Sequence, residues 1–280
     1  MATVQITTWD EFKTALTETI TEATTYEIMN DIDVSGEIIT AQINIQGNYS
    51  KIINGNEFKL NGLTTYISGT NACIFRVYTN DITFNKLYFS NFMASGAYLF
   101  YSNNSTTHIF FNECFFNGLA KIILYGPFNS DKCSFNCAYD SNEYMLTGSN
   151  HTNAYIIIDG TLIAPTNANS KQHLSGTYTN CYIGGKAFFT SGNSYLLGGS
   201  FRNSVINVEF QNSPTYPKTS GSLSLTGNVT SSGYYTLVNK DKIEIEGLTW
   251  TDYNRIYALT DTQIKSKTYI QENTNFPLYG

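Results

Sequence analysis

Paired carboxylates are the residues that would allow this chain to cut glycans, since glycosidic hydrolysis uses one protonated and one ionised carboxyl group. The chain has no Asp-Asp pair. Asp31 and Asp33 are two apart, so one face of a strand would hold both, either as a calcium site or as a solvated face. His108, His151 and His173 are too widely spaced to indicate a relay. We therefore expect no catalytic residue, no metal and no cofactor.

A catalytic pair made of carboxylates that are far apart in sequence remains an alternative, because the sequence does not show which residues of neighbouring strands lie side by side. A polysaccharide-degrading enzyme could assemble its pair from neighbouring strands. The sequence contains no Gly-x-Ser-x-Gly motif and no Cys-His arrangement, so it gives no indication of nucleophilic catalysis. Arginine is limited to Arg76, Arg202 and Arg255, each beside apolar or turn residues, where a solvated position is the simplest interpretation.

Aromatic side chains in turn-like segments are the better candidates for a binding site. A ring in a polar loop needs a packing partner or a ligand, and sugar recognition uses rings as apolar platforms beside amide and hydroxyl groups. Local packing and subunit contact are the alternatives to glycan contact. The candidates are Tyr216, Tyr234, Tyr235, Tyr253 and Tyr257.

The five cysteines are an odd number in a chain whose first residues show no secretory signal, which predicts free, buried thiols. Zinc is the alternative, but Cys133 and Cys137 lack a second close pair. The net charge of −6, with 16 basic and 22 acidic residues, argues against a nucleic-acid partner. No apolar stretch approaches the roughly 18 residues that a membrane-spanning helix needs, so we expect no membrane insertion.

Composition and periodicity predict an all-β protein with one short helix. Charged residues are only 14% of the chain, aromatic residues are 15%, and Asn, Thr and Ser are abundant. The helix is predicted near residues 9–17, because Thr8 and Glu11 form a capping box and Trp9, Phe12 and Leu16 share one face. From residue 26 onward, apolar residues alternate in short runs separated by Asn, Gly, Ser and Thr, which indicates strands joined by tight turns.

Four segments repeat the same pattern: apolar-x-apolar, two turn residues, then apolar-x-aromatic. The second follows the first by 27 residues, and the segments are 80–91, 107–118, 192–203 and 240–251. Such a bend between strands with alternating inward residues predicts one corner of a parallel β-solenoid, in which each strand pairs with its equivalent one coil away. We expect coils of about 20 to 27 residues, and about nine to eleven of them.

Two further expectations concern the residues of these repeats. The turn asparagines should stack into ladders, since Asn tolerates the left-handed conformation and bonds backbone at corners. They are Asn85, Asn91, Asn112, Asn117, Asn136 and Asn203. The phenylalanines of the strands should point inward and form the core. They are Phe84, Phe89, Phe111, Phe116 and Phe135.

The chain resembles the right-handed parallel β-helix proteins of the pectin-lyase-like group, which include phage appendage proteins and bacterial surface proteins. The likeness is carried by Trp9-x-x-Phe12-x-x-Ala15-Leu16, Asp31-Ile32-Asp33-Val34 and Ile53-Asn54-Gly55-Asn56-x-x-x-Leu60-Asn61-Gly62-Leu63, and by the closing segment from Leu259 to Tyr269 with Phe276-Pro277. The resemblance implies an N-terminal cap at 1–23, a β-helix at 24–258 and a closing segment at 259–280. The Gly-His-Gly and Arg-x-Lys runs of pectin-degrading enzymes are absent from this sequence.

These observations together predict a non-enzymatic structural component of a bacteriophage virion, such as a head fibre, tail or baseplate appendage, that binds a receptor or glycan. Its expected partners are identical subunits, other virion proteins and a host surface glycan. The 41 aromatic residues exceed what a narrow interior holds, so some must lie on the outer faces, which favours a homo-oligomer. The resemblance implies that this homo-oligomer is a trimer. A glycan-degrading tailspike or lyase and a bacterial surface adhesin are the alternatives.

Overall fold

The computed structural model describes residues 2–78, 81–104, 108–139, 146–159, 172–179, 181–189, 194–202 and 204–212, and four short strands between 223 and 257. All strand pairs of these residues are parallel, and the single helix lies near the N-terminus, so the fold is an all-β parallel β-helix. Within them, no helix is long and apolar enough to cross a membrane. The elements are β1 Ala2–Ile6, α1 Trp9–Thr17, β2 Thr24–Ile28, β3 Ile32–Asp33, β4 Ile38–Ile39, β5 Ile43–Ile45, β6 Lys51–Asn54, β7 Lys59–Asn61, β8 Thr64–Thr65, β9 Cys73–Val77, β10 Asp81–Asn85, β11 Tyr88–Tyr101, β12 His108–Asn112, β13 Phe115–Tyr125, β14 Phe128–Asp131, β15 Ser134–Tyr139, β16 Leu146–Thr152, β17 Tyr155–Asp159, β18 Gln172–Thr179, β19 Tyr182–Phe189, β20 Ser194–Arg202, β21 Ser204–Asn212, β22 Leu223–Thr226, β23 Tyr235–Leu237, β24 Glu244–Ile245 and β25 Ile256–Tyr257.

The helix α1 closes the first coils as the sequence predicts. Thr8 accepts the backbone N–H of Glu11, and the Glu11 carboxylate accepts the backbone N–H of Thr8 at 3.0 Å, so both halves of the capping box are present. The apolar face of α1 is buried and packs beside β5. A strand that the sequence analysis did not predict, β1, precedes the helix and pairs with β2.

A buried lysine caps the other end of α1. The Lys51 ammonium donates to the carbonyl oxygens of Ala15, Leu16 and Glu18 at 2.8, 2.9 and 2.8 Å. These carbonyls have no partner inside the helix, and a cation also stabilises the negative end of the helix dipole. Burial lowers the pKa of Lys51 to about 8. The lysine thus joins the cap to the first strand of the next coil.

The predicted 27-residue repeat is confirmed in the strand register. Asp81 pairs with His108 and Asn85 pairs with Asn112, and after the corner Tyr88 pairs with Phe115. Other coils have different lengths: Asn54 and Asn85 are 31 residues apart, whereas Ser130 and His151 are 21 apart. The 31-residue coil is longer than expected because its connections are longer. Its strands β7, β8 and β9 all pair with β11 of the next coil, but Cys73 comes nine residues after Thr64, whereas their partners Met93 and Tyr98 are five apart.

The third predicted repeat, 192–203, is wrong. The strand β20 runs without a break from Ser194 to Arg202, and the next strand begins at Ser204. Gly198 and Gly199, taken as the bend, instead pair with Ser175 and Gly176 on β18. Of the fourth segment, only Glu244 and Ile245 fall within the described residues, where they form β24.

Phenylalanines fill the interior in stacks, as predicted. The rings of Phe89 and Phe116 lie 5.0 Å apart and nearly parallel, and Phe135 continues the stack at 4.8 Å. Phe84 and Phe111 stack at 5.1 Å. These separations match the spacing of paired strands, so successive coils contribute one ring each to a column until an aliphatic or polar residue takes the position, as Leu60 and Ile156 do at the two ends of the Phe89 column. All five side chains are fully buried.

The cysteines are free and buried, as predicted, and the repeat explains most of them. Cys114, Cys133 and Cys181 each stand two residues after the last residue of a strand at the same corner. Each thiol donates to a carbonyl one coil away, on Phe84, Phe111 and His151 respectively. Burial raises the pKa of the Cys181 thiol to about 12. These thiols therefore fill small interior positions and are poorly reactive.

Candidate functional site

A groove of about 480 Å³ lies beside the early coils and is lined by Asn44, Gln46, Gly47, Asn48 and Tyr78. We call it the tyrosine groove. Its wall combines one half-exposed aromatic ring with three side-chain amides, and no carboxylate of the described residues lines it. An aromatic face with neighbouring amides suits the apolar and hydroxylated sides of a sugar ring.

Backbone hydrogen bonds between coils hold the wall of the tyrosine groove in place. The N–H of Gln46 donates to the carbonyl of Leu16 in α1, and the N–H of Tyr78 donates to the carbonyl of Ile45. Between the amides, Gly47 adopts φ 149°, a conformation that favours glycine. The loop after β5 is thereby fixed against both the helix cap and the following coil.

Arg76 lies between two tyrosine rings next to the groove. Its guanidinium carbon is 5.3 Å from the ring centroid of Tyr78 and 5.3 Å from that of Tyr101. The planar guanidinium and the negative ring faces attract one another, and this arrangement orients Tyr78 as well as Arg76. No ion pair of Arg76 occurs among the residues that the structure describes.

Two buried polar atoms at this point have no hydrogen-bond partner in the described part of the chain. They are Oδ1 of Asn44 and Nε of Arg76, and their residues are directly paired on β5 and β9. An unsatisfied buried polar atom costs about 1–3 kcal/mol. The site therefore has polar capacity that the fold itself leaves unused.

Three tyrosines pack together on the two coils that follow Arg76. Tyr98, Tyr101 and Tyr125 stack with centroid separations of 5.3 Å, and the Lys121 ammonium lies 5.3 Å from the Tyr98 ring. Burial raises the pKa of Tyr101, while Arg76 opposes this rise. Tyr98 and Tyr101 are 6% and 4% exposed, so these rings support Arg76 from a buried cluster and do not extend the surface of the tyrosine groove.

A second groove, of about 370 Å³, follows the corner of the coils and is lined by Asn54, Asn56, Asn85, Lys86, Asn112 and Glu113. We call it the corner groove. Its asparagines form the predicted ladder: Asn54 donates to Glu27 at 2.7 Å, Asn85 to Asn54 at 2.9 Å, and Asn112 to Asn85 at 2.9 Å. The polar side chains of the corner groove therefore hold neighbouring coils together.

The residue after the ladder position is left-handed in successive coils, with φ of 49° at Lys86 and 53° at Glu113. The Lys86 ammonium lies 3.6 Å from the carboxylates of both Glu57 and Glu113. A second ladder joins Asp33, Asn61 and Asn91. Asn117 and Asn136, expected in turns, lie instead within strands and pair with each other. Asn203 lies outside the described residues.

The two carboxylates considered for calcium serve as hydrogen-bond acceptors. Asp31 accepts the backbone N–H of Lys59, and Asp33 accepts the N–H of Ser35 and the Asn61 amide. These bonds lower the pKa of Asp33. Among the described residues, no three His, Cys, Asp or Glu side chains lie close enough together to hold a metal ion.

The tyrosines proposed from sequence lie far along the chain from the tyrosine groove. Tyr216, Tyr234 and Tyr253 are outside the described residues. Tyr235 and Tyr257 belong to paired strands, β23 and β25, rather than to turns. Sequence reasoning missed Tyr78 and treated Arg76 as a solvated residue. A signal was available in the sequence. Arg76 lies near the end of the apolar strand β9 and Tyr78 directly follows that strand, so a lone arginine and an aromatic residue stand together at a strand end.

Comparison with protein families gives one match. Residues 3–118 match the model of the pectate lyase-like adhesive domain, which is less than half of the chain and contains α1, the tyrosine groove and most of the corner ladder. Searches of the curated proteins and of the solved structures each found no significant match. The family match and the curled parallel sheet agree: the chain has a pectate-lyase-like parallel β fold.

Proposed function

We propose that the chain is a non-catalytic adhesive β-helix that binds a surface glycan in the tyrosine groove. The observation that carries this proposal is the unsatisfied pair of Asn44 Oδ1 and Arg76 Nε beside the half-exposed Tyr78 ring. The ring supplies apolar contact, and the amides supply directional hydrogen bonds. The adhesive description of the matching family supports the same class of function.

Binding to immobilised polysaccharides by the full chain tests the proposal. We expect Tyr78→Ala to weaken binding about tenfold, because the sugar loses its aromatic platform, whereas Tyr78→Phe keeps the ring and most of the affinity. Tyr66→Ala is the matched control, since Tyr66 is 69% exposed and lies outside the groove. Equal losses for Tyr78→Ala and Tyr66→Ala would contradict the assignment of the groove.

The absence of catalysis is part of the proposal and has its own test. Incubation of the protein with each bound polysaccharide should release no new reducing ends. Turnover that a single Asp or Glu substitution abolishes would show that separated carboxylates act together, as in the alternative of a degrading tailspike or lyase.

We further propose that the chain is carried on a bacteriophage virion. The support is the resemblance of residues 9–63 to phage appendage proteins together with five free, buried thiols. Density for this chain in intact particles would support the assignment. Its recovery from bacterial envelopes, with no particle containing it, would favour the bacterial surface adhesin instead.

Self-association into a trimer is the last part of the proposal. Ile38 and Met93 are 57% and 48% exposed and flank Thr64 on neighbouring strands, so they form an apolar stripe along the side of the β-helix. Packing against identical subunits would remove this stripe from water. Light scattering should give about three times the chain mass of 31.3 kDa, and a mass near one chain would refute self-association.

A further inference from the structure

We infer that the free edge of β1 is a docking site for one extended strand of another protein. The site goes beyond the proposed function, because β1 lines neither the tyrosine groove nor the corner groove. β1 is the first strand of its column, and among the described residues it pairs with β2 alone. Its other edge is therefore open.

The direction of the backbone shows which groups face this open edge. The carbonyl oxygen of Ile6 accepts the N–H of Met29, which directly follows β2, so the backbone groups of Ile6 face β2. Successive residues of a strand alternate, and the N–H and C=O groups of both Thr3 and Gln5 therefore face away from β2. Both residues are exposed, and these four groups have no backbone partner in the described part of the chain. Two donors and two acceptors at this spacing match the backbone of an added strand.

The inward side chains of this column also end without a cover. In the strand register the column consists of Val4, Tyr26, Ile53, Phe84 and Phe111. The last four side chains are fully buried, whereas Val4 is 42% exposed. An added strand with an apolar side chain over Val4 would complete the column. β1 has neither a proline nor a charged residue, which are features that protect the edges of natural sheets.

The helix cap determines how much can be added. The helix α1 packs on β5, which belongs to the same coil as β2, so α1 and β1 both lie on that coil. A helix is about 10 Å thick, whereas neighbouring strands are about 4.8 Å apart. The helix is therefore as high as two strands, and a step one strand deep remains over β1. One extended chain fits this step. A second copy placed end to end does not fit, because its own helix would collide with α1.

Hydrogen exchange of the full chain with a synthetic strand tests the site. The probe is a peptide that alternates threonine and valine between two terminal lysines, and the control is the same peptide with every amide N-methylated. Without peptide, the amides of Thr3 and Gln5 should exchange at least about tenfold faster than those of Val4 and Ile6. The probe should slow Thr3 and Gln5 about tenfold, and the methylated peptide should not.

Protection of Thr3 and Gln5 in the absence of peptide would overturn the inference. The edge would then be filled by this chain itself, or by a second copy if the protection increases with protein concentration. Unchanged exchange at both residues in the presence of saturating probe would overturn it as well.

Substitutions at one position separate the backbone from the side chain. Gln5→Pro removes one donor of the open edge and keeps the hydrogen bonds to β2, so it should weaken binding of the probe at least about tenfold. Gln5→Ala keeps the donor and is the matched control, with a change of less than about twofold. Circular dichroism of both variants should match that of the unmodified chain. Equal affinity of the two folded variants for the probe would contradict docking at this edge.

Discussion

The corner groove and the tyrosine groove are both rich in asparagine, but their polar atoms are used differently. At the corner, each amide of the ladder donates to the residue one coil earlier, and the ladder begins on a glutamate. In the tyrosine groove, Asn44 Oδ1 and Arg76 Nε have no partner among the described residues. The comparison shows that the ladder amides of the corner have partners, whereas two of the four buried side-chain atoms that lack a partner in the described residues lie beside the tyrosine groove. Substitutions in each groove and in the core test this distinction.

The largest loss of stability should come from Lys51, the buried cap of α1, whose polar group has hydrogen-bond partners within the fold. Lys51→Met removes the donor to three carbonyl oxygens, and we expect a decrease of about 3 kcal/mol in the free energy of unfolding. Lys59→Met is the control, since the Lys59 side chain is exposed and should change stability by less than about 0.5 kcal/mol. Urea titration monitored by tryptophan fluorescence measures both.

His151 lies between the two classes, because one ring nitrogen is satisfied and the other is not. Nδ1 is 2.7 Å from Ser130 Oγ, Nε2 has no partner in the described residues, and the ring stacks on Tyr178. The Cys181 thiol donates a hydrogen bond to the His151 carbonyl oxygen, and the raised pKa of this thiol keeps it neutral at acidic and neutral pH. Burial lowers the pKa of His151 from 6.5 to about 4, so the folded protein favours the neutral ring.

The stability that His151 contributes is therefore fully present above about pH 6.5 and is lost as the pH falls toward 4. The loss at pH 4 should be about 3 kcal/mol relative to pH 7. In His151→Phe, which continues the column of aromatic rings, this part of the acid dependence should vanish. Unfolding titrations at pH 7 and pH 4 measure it, and identical acid dependence in the two proteins would contradict the account of His151.

A single ladder amide should matter less. Asn85→Ala leaves the Asn112 amide without its acceptor and Asn54 without its donor, and we expect a loss of about 1–3 kcal/mol. The mutation should leave glycan binding unchanged, because the tyrosine groove is elsewhere. Thermal unfolding and polysaccharide binding on the same preparation check both statements, and a loss of binding without a loss of stability would reverse the roles of the two grooves.

The smallest effect on stability should be that of the same substitution in the tyrosine groove. Asn44→Ala removes an unsatisfied buried oxygen, which favours the folded state, and also removes the packing of the amide, which disfavours it. These opposing effects should leave the free energy of unfolding changed by less than about 1 kcal/mol. Glycan affinity should nevertheless decrease several-fold. A loss of stability as large as that of Asn85→Ala would show that Asn44 has a structural partner and would remove the distinction between the grooves.

Local signals predicted much of the fold. Thr8 and Glu11 fixed the start of the helix, and the apolar-x-apolar pattern with its 27-residue offset predicted the pairing of Asp81 with His108. Inward phenylalanines followed from the same alternation. Two features were not predicted. One is β1, although Ala2, Val4 and Ile6 alternate with polar residues, and the other is the continuous strand through Gly198-Gly199, a dipeptide that suggests a turn.

The candidate site was not predictable to the same degree. Asn44, Arg76 and Tyr101 are far apart in sequence and become neighbours only through the pairing of β5, β9 and β11. Loops of unequal length separate these strands, so a repeat search does not align them. The tyrosines near the C-terminus were predicted because their local sequence is turn-like, whereas Tyr78 directly follows strand β9 in a segment without turn residues before it.

The position of a bound oligosaccharide tests the central claim most directly. A crystal structure of the full chain with an oligosaccharide from a polymer that it binds should show a sugar ring on Tyr78, with sugar oxygens within hydrogen-bond distance of Asn44 and Arg76. The corner groove should be empty in the same crystal. A sugar bound along Asn54, Asn85 and Asn112, with none at Tyr78, would contradict the account.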